Sequence, residues 1–71
     1  MAYNISARGI GVALTYPVQP GTNLLIELLG WNQGQGVRAR VVRSILDGFV
    51  WFHGCEFINP LNKEQLQGWL T

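Results

Sequence analysis

Apolar positions along this 71-residue chain recur mostly at every second residue, the period of strands rather than of helices. Ile10, Val12 and Leu14 alternate with Gly11 and Ala13, which predicts a half-buried first strand. Pro17, Pro20 and Gly21 then break the pattern with turn chemistry. Over 23–29, Leu24, Ile26 and Leu28 share one face and Leu25, Glu27 and Leu29 the other. Both faces are mostly apolar, so this second strand is expected to be covered on its outer face by a helix, a neighbouring domain or another chain. The run 30–36, rich in glycine, predicts a flexible hairpin loop. A third strand over 36–45 sets Val37, Ala39 and Val41 against Arg38, Arg40 and Val42. Asp47-Gly48 predicts a two-residue turn, because both residues tolerate positive φ. A fourth strand over 49–58 sets Phe49, Trp51, His53, Cys55 and Phe57 against Val50, Phe52, Gly54, Glu56 and Ile58.

The C-terminal end alone has helical spacing. Asn62 is a cap with Gln65 as its capping-box partner, and Leu66, Trp69 and Leu70 form one stripe. Two helical turns are not stable alone in water, so the stripe must lie on the sheet. Four strands with short hairpin links and a closing helix predict an all-β chain with one short C-terminal helix, its antiparallel sheet curling toward a barrel. No repeat, linker or low-complexity stretch divides residues 1–71, which read as a single domain.

Composition narrows the classes. Hydrophobic residues are 48% and charged residues 13%, which excludes a disordered chain. A chain this small buries only about 60% of its unfolded surface, so its stability is marginal unless something braces it. One cysteine excludes an internal disulfide, and no second cysteine joins His53 in a zinc site. No run approaches the roughly 18 apolar residues of a membrane span. The first residues, Met1-Ala2-Tyr3-Asn4, lack the charged and apolar regions of a signal peptide. A net charge of +1 supplies no broad attraction to nucleic acid or acidic lipid. A cytoplasmic module is expected, and a lone cysteine fits that compartment.

Catalysis finds little support. Glu27, Asp47, Glu56 and Glu64 sit in separate elements. A turn explains Asp47, and a helix's first turn, where the dipole favours an acid, explains Glu64. His53 has the residue type of a general base or ligand, but mid-strand among aromatics it reads as a packed histidine or an oligomer contact. Cys55 beside Gly54 reads as a small buried hydrophobe. We expect no enzyme, no metal and no cofactor.

The N-terminal hexapeptide Asn4-Ile5-Ser6-Ala7-Arg8-Gly9 is different. If Asn4 to Ser6 is extended, both polar side chains project from one face, and an amide beside a hydroxyl can read the edge of a planar heterocycle. Gly9 lets the backbone turn, or lets a ligand approach, just before the first predicted strand. Arg8, inside the same six residues, completes the candidate set. An ordinary Asx or Ser turn leading into a strand accounts for the same residues.

Asn-x-Ser-x-x-Gly directly before Ile10-Gly11-Val12 resembles a signature of the PilZ domain family. The remainder follows the family's order. Pro20-Gly21 and an apolar strand come next, then Val41-Val42-Arg43, then Gly54-Cys55-Glu56-Phe57, then Asn59-Pro60-Leu61 leading into a leucine-bearing helix. The resemblance spans nearly the whole chain. It implies a six-stranded β-barrel and, as ligand, the bacterial second messenger cyclic di-GMP, with Asn4 and Ser6 on guanine and Gly9 at the motif's glycine. The family also uses an upstream Arg-x-x-x-Arg signature on phosphates and bases. Here Arg8, Arg38, Arg40 and Arg43 contain no pair four apart, and three residues precede Asn4. An amide and a hydroxyl contribute only about 1 kcal/mol each, less than bidentate arginine contacts to phosphate. The departure therefore weighs against tight binding by this chain alone. It suggests either a barrel truncated at its N-terminus or a branch used for protein contacts.

Arg38 and Arg40 share a face, and with Trp31 and Trp51 nearby they would make a basic, aromatic surface for nucleic acid. The near-neutral charge favours a solvated outer face instead. The leading expectation is a PilZ-like regulatory module that binds cyclic di-GMP and, once ordered by it, acts on an effector protein. The alternatives are a non-binding interaction or oligomerisation scaffold and a small RNA-binding barrel. A homo-oligomer is expected, because open sheet edges and the outer side chains Leu25 and Leu29 need cover.

Overall fold

The computed structural model describes residues 2–27 and 36–70, with side chains as far as residue 68. Leu28 and Leu29, the loop through Trp31, and the side chains of Trp69 and Leu70 lie outside the described residues. The elements are β1 (Ala2–Ile5), β2 (Gly9–Leu14), β3 (Asn23–Ile26), β4 (Val37–Asp47), β5 (Val50–Phe57) and α1 (Lys63–Leu70). They form one antiparallel sheet in the order β1-β2-β5-β4-β3, curled into a half-barrel.

The class is as expected, but the connections differ. The segment before Ile10 is a strand in its own right, so the described sheet has five strands rather than four. β2 pairs with β5 and not with β3, so β2 to β5 form a Greek key instead of a run of hairpins. The link from β2 to β3 carries Pro17 and Pro20, which cannot donate to a ladder, and it crosses instead of turning back. Two groups of hydrogen bonds hold it. The Val18 N–H donates to His53 Nε2 at 2.9 Å. Further along, the Gly21 N–H donates to the Val41 carbonyl and the Val41 N–H to the Thr22 carbonyl.

His53 is wholly buried, with its Nδ1 3.2 Å from the Val12 carbonyl. An N–H donor at Nε2 and a carbonyl acceptor at Nδ1 select the neutral tautomer protonated at Nδ1. This histidine is a strap between two strands and the crossing link. Around it the core gathers Ile10, Ala39, Val41, Cys55, Phe57 and Leu61, flanked by Ile5, Leu24, Ile26 and Leu66.

The β4–β5 turn lies one residue later than the sequence suggests. Asp47 pairs with Val50, so Gly48 and Phe49 form the turn. Gly48 takes φ +65°, the conformation a primed turn needs at its first central position. Phe49 consequently stands at the tip, 95% exposed, instead of on the core face. Trp51 aligns with Leu46 and lies on the side of His53, away from Arg38 and Arg40, so it adds nothing to a basic surface.

Two bulges shape the sheet. In β4 the register jumps between Val41 and Arg43, leaving Val42 as the extra residue. Downstream the alternation is reversed: Arg43 faces outward opposite Gly54, and Ser44 turns inward opposite His53. The Ser44 hydroxyl is buried there without a hydrogen-bond partner among the described residues. In β1 the register shifts between Ala2 and Asn4, leaving Tyr3 as the extra residue.

The helix starts as its sequence dictates. The Gln65 N–H donates to Asn62 Oδ1 at 2.8 Å, and the Asn62 N–H donates back to Gln65 Oε1 at 3.0 Å. The helix does not cover Leu25, which is 63% exposed.

Candidate functional site

The β1–β2 turn carries the motif. Its base closes through a Ser6 N–H to Gly9 carbonyl bond of 2.9 Å. The chain beyond β4 grips it from below, with the Phe57 N–H donating to the Arg8 carbonyl and the Leu61 N–H to the Ala7 carbonyl. Within the turn, the Arg8 N–H donates to Ser6 Oγ at 3.4 Å. A contact that long is weak, and it uses the hydroxyl only as an acceptor, leaving its proton for another group. The Ser turn is therefore formed without using the hydroxyl proton.

Asn4 pairs with Gly11, Gly11 with Gly54, and Gly54 with Arg43. These four residues form one row across β1, β2, β5 and β4, on the face turned away from the core. The two middle places have no side chain. A Cβ on Gly11 would strike the outer end of the Tyr3 ring. That ring stands edge-on to Phe52, with centroids 5.3 Å apart and planes at 86°, an arrangement that fixes its position. A Cβ on Gly54 would lie 3.1 Å from Arg43 Nε and 3.2 Å from its Cγ. The aromatic ring and the arginine therefore lie down on the sheet over adjacent glycines.

Tyr3, Asn4, Ser6, Gly9, Gly11, Arg43 and Gly54 line one open groove of about 270 Å³. Of the candidates from sequence, Asn4, Ser6 and Gly9 come together here. The Arg8 side chain does not line the groove, and its backbone is engaged by the turn. Gly9 also has a structural reason: a Cβ there would collide with the Cys55 carbonyl across the ladder. Arg43 and Tyr3 were not marked by local spacing, because only the pairing of β2 with β5 and the bulge at Val42 bring them to the row. A larger groove, about 380 Å³, lies between Asn23, Leu25, Arg38 and Ile58; it holds an amide and a guanidinium but no hydroxyl and none of the motif residues. Cys55 contributes backbone to the groove and keeps its thiol in the core, where burial pushes the pKa up. Among the described residues, no group of three or more His, Cys, Asp or Glu could hold a metal ion. Nor is any described helix long and apolar enough to cross a membrane.

Sheet and groove together define a small antiparallel β domain that presents an amide, a hydroxyl and a guanidinium in one open cleft. The family model of the PilZ domain matches residues 1–71, and the chain belongs to the PilZ domain family. No curated protein and no solved structure matches it.

Proposed function

We propose that this chain is a regulatory module that binds cyclic di-GMP in the groove at the β1–β2 turn. The observation that carries the reading is the convergence of Asn4, Ser6 and Gly9 on that one groove, in the order of the family motif. The Asn4 amide and the Ser6 hydroxyl proton read the edge of a guanine, a task for which an amide's paired donor and acceptor are suited. The groove is small and open, below the usual ~300–1,000 Å³ of an enclosing pocket, so it takes part of the dinucleotide and leaves the rest outside. Binding orders the turn and changes the surface offered to an effector protein in the cytoplasm. No step in this mechanism is catalytic.

Calorimetric titration with cyclic di-GMP tests it. Asn4→Ala and Ser6→Ala should each weaken binding by about 1–2 kcal/mol, the cost of leaving a polar contact unpaired. Unchanged affinity in both variants would remove them from the site.

A second reading, a scaffold for protein contacts, draws support from a different place. Phe49 is 95% exposed at the hairpin tip and Leu25 is 63% exposed on β3, and both outer strands keep an unpaired edge among the described residues.

A further inference from the structure

We infer that Arg43 is the cation of the groove and holds the anionic phosphodiester of the bound nucleotide, with Gly54 present to seat it. This assignment rests on the cyclic di-GMP reading above and adds to it a residue outside the hexapeptide motif. The row Asn4–Gly11–Gly54–Arg43 runs from the amide to the arginine, with the Tyr3 ring lying over Gly11 and the Arg43 stem over Gly54 between them. At about 4.8 Å per strand the ends of the row are ~14 Å apart at the backbone, so a ligand lying on the Tyr3 ring is within reach of both the amide and the arginine.

The arginine's position follows from its surroundings. The bulge at Val42 turns Arg43 to the outer face, where alternation through the bulge-free strand would have put it inside. Its Cγ, Cδ and Nε run within 3.7 Å of the point where a Gly54 Cβ would stand. The stem therefore lies over the glycine, toward the Tyr3 side of the groove, while the residue stays exposed to solvent. Among the described residues no carboxylate pairs with it. A guanidinium laid along a polar cleft, with its fork unclaimed, suits an oxyanion presented in the same plane. Tyr3, fixed over Gly11 beside it, offers an apolar face for the attached base.

Arg38 and Arg40 do not compete for the role, because neither lines this groove. They serve as controls for nonspecific attraction.

The test is calorimetry of the 71-residue chain with cyclic di-GMP at low and moderate salt, on wild type, Arg43→Gln, Arg43→Lys, Gly54→Ala, Arg40→Gln and Asn4→Ala. Arg43→Gln should lose about tenfold or more and flatten the salt dependence, as expected when a charge-assisted contact is removed. Arg43→Lys should recover part of the loss, since it keeps the charge without the fork. Gly54→Ala should weaken binding by pushing the arginine off its seat, and circular dichroism should show that Arg43→Gln and Gly54→Ala keep the wild-type spectrum and melting behaviour. Arg40→Gln should bind as wild type. If Asn4→Ala weakens binding while Arg43→Gln does not, the assignment of Arg43 is wrong and the site reading survives. If wild type gives no heat and no spectral change at millimolar ligand, both are wrong.

Discussion

Cys55 and His53 show how burial decides what a reactive side chain can do. Both sit on the inner face of β5, and neither reaches solvent to act on a substrate. For Cys55, burial raises the thiol pKa above its ordinary value of 9.0, so the folded protein holds that proton more tightly than the unfolded chain does. Below pH 9.0 both states are protonated and the residue adds no pH dependence. Above it the unfolded chain ionises first, so stability falls as pH rises further. Urea unfolding at pH 7 and pH 10 should therefore show a larger loss for wild type than for Cys55→Ala. Equal losses would mean that the thiol is not desolvated in the folded state. His53 was legible only as a histidine with an apolar strand around it. Its actual role as a strap depends on Val18, which lies 35 positions away in the chain, and no local period reveals such a partner.

Elements were legible where their determinants are local. The capping box of α1 was readable because Asn62 and Gln65 are three residues apart and complete each other. The helix's hold on the sheet is testable. Leu66 packs against the core while remaining partly accessible, so Leu66→Ala should cost about 2 kcal/mol, at the low end for a leucine truncation. Asn62→Ala should cost about 1 kcal/mol through the cap alone. Losses below about 0.5 kcal/mol in both, the range of surface substitutions, would show that α1 is peripheral. Determinants that are not local were missed. The turn at Gly48-Phe49 differs from the one expected by a single residue, because Asp47 is held in the ladder by Val50. Neither bulge has a residue signature, yet the one at Val42 decides which way Arg43 faces. Half of the candidate groove was therefore readable as a motif, and the other half exists only through strand pairing.

For the molecule as a whole, alternation predicted the sheet and its helix but not the order of its strands. Pairing β2 with β5 brings residues 9–14 against 51–56, a contact that periodicity cannot specify. The resulting half-barrel has β1 and β3 at its edges, each paired on its inner side only among the described residues. Unpaired edges and an exposed Leu25 favour association, and a two-fold pair is the commonest closed solution. Sedimentation at micromolar concentration should give a mass above the 7.9 kDa of one chain, rising with concentration. A constant mass of one chain would show that the edges are tolerated and would leave the scaffold reading without support.

The central claim, that the groove at the β1–β2 turn takes cyclic di-GMP, is tested most directly by following backbone amide shifts of the isotope-labelled chain during titration with that ligand. The account predicts saturable shifts at Tyr3, Asn4, Ser6, Gly9 and Gly11, extending across the row to Gly54 and Arg43, while Asn23, Leu25 and Ile58 around the larger apolar groove stay still. Shifts confined to that second groove, or none at millimolar ligand, would contradict it.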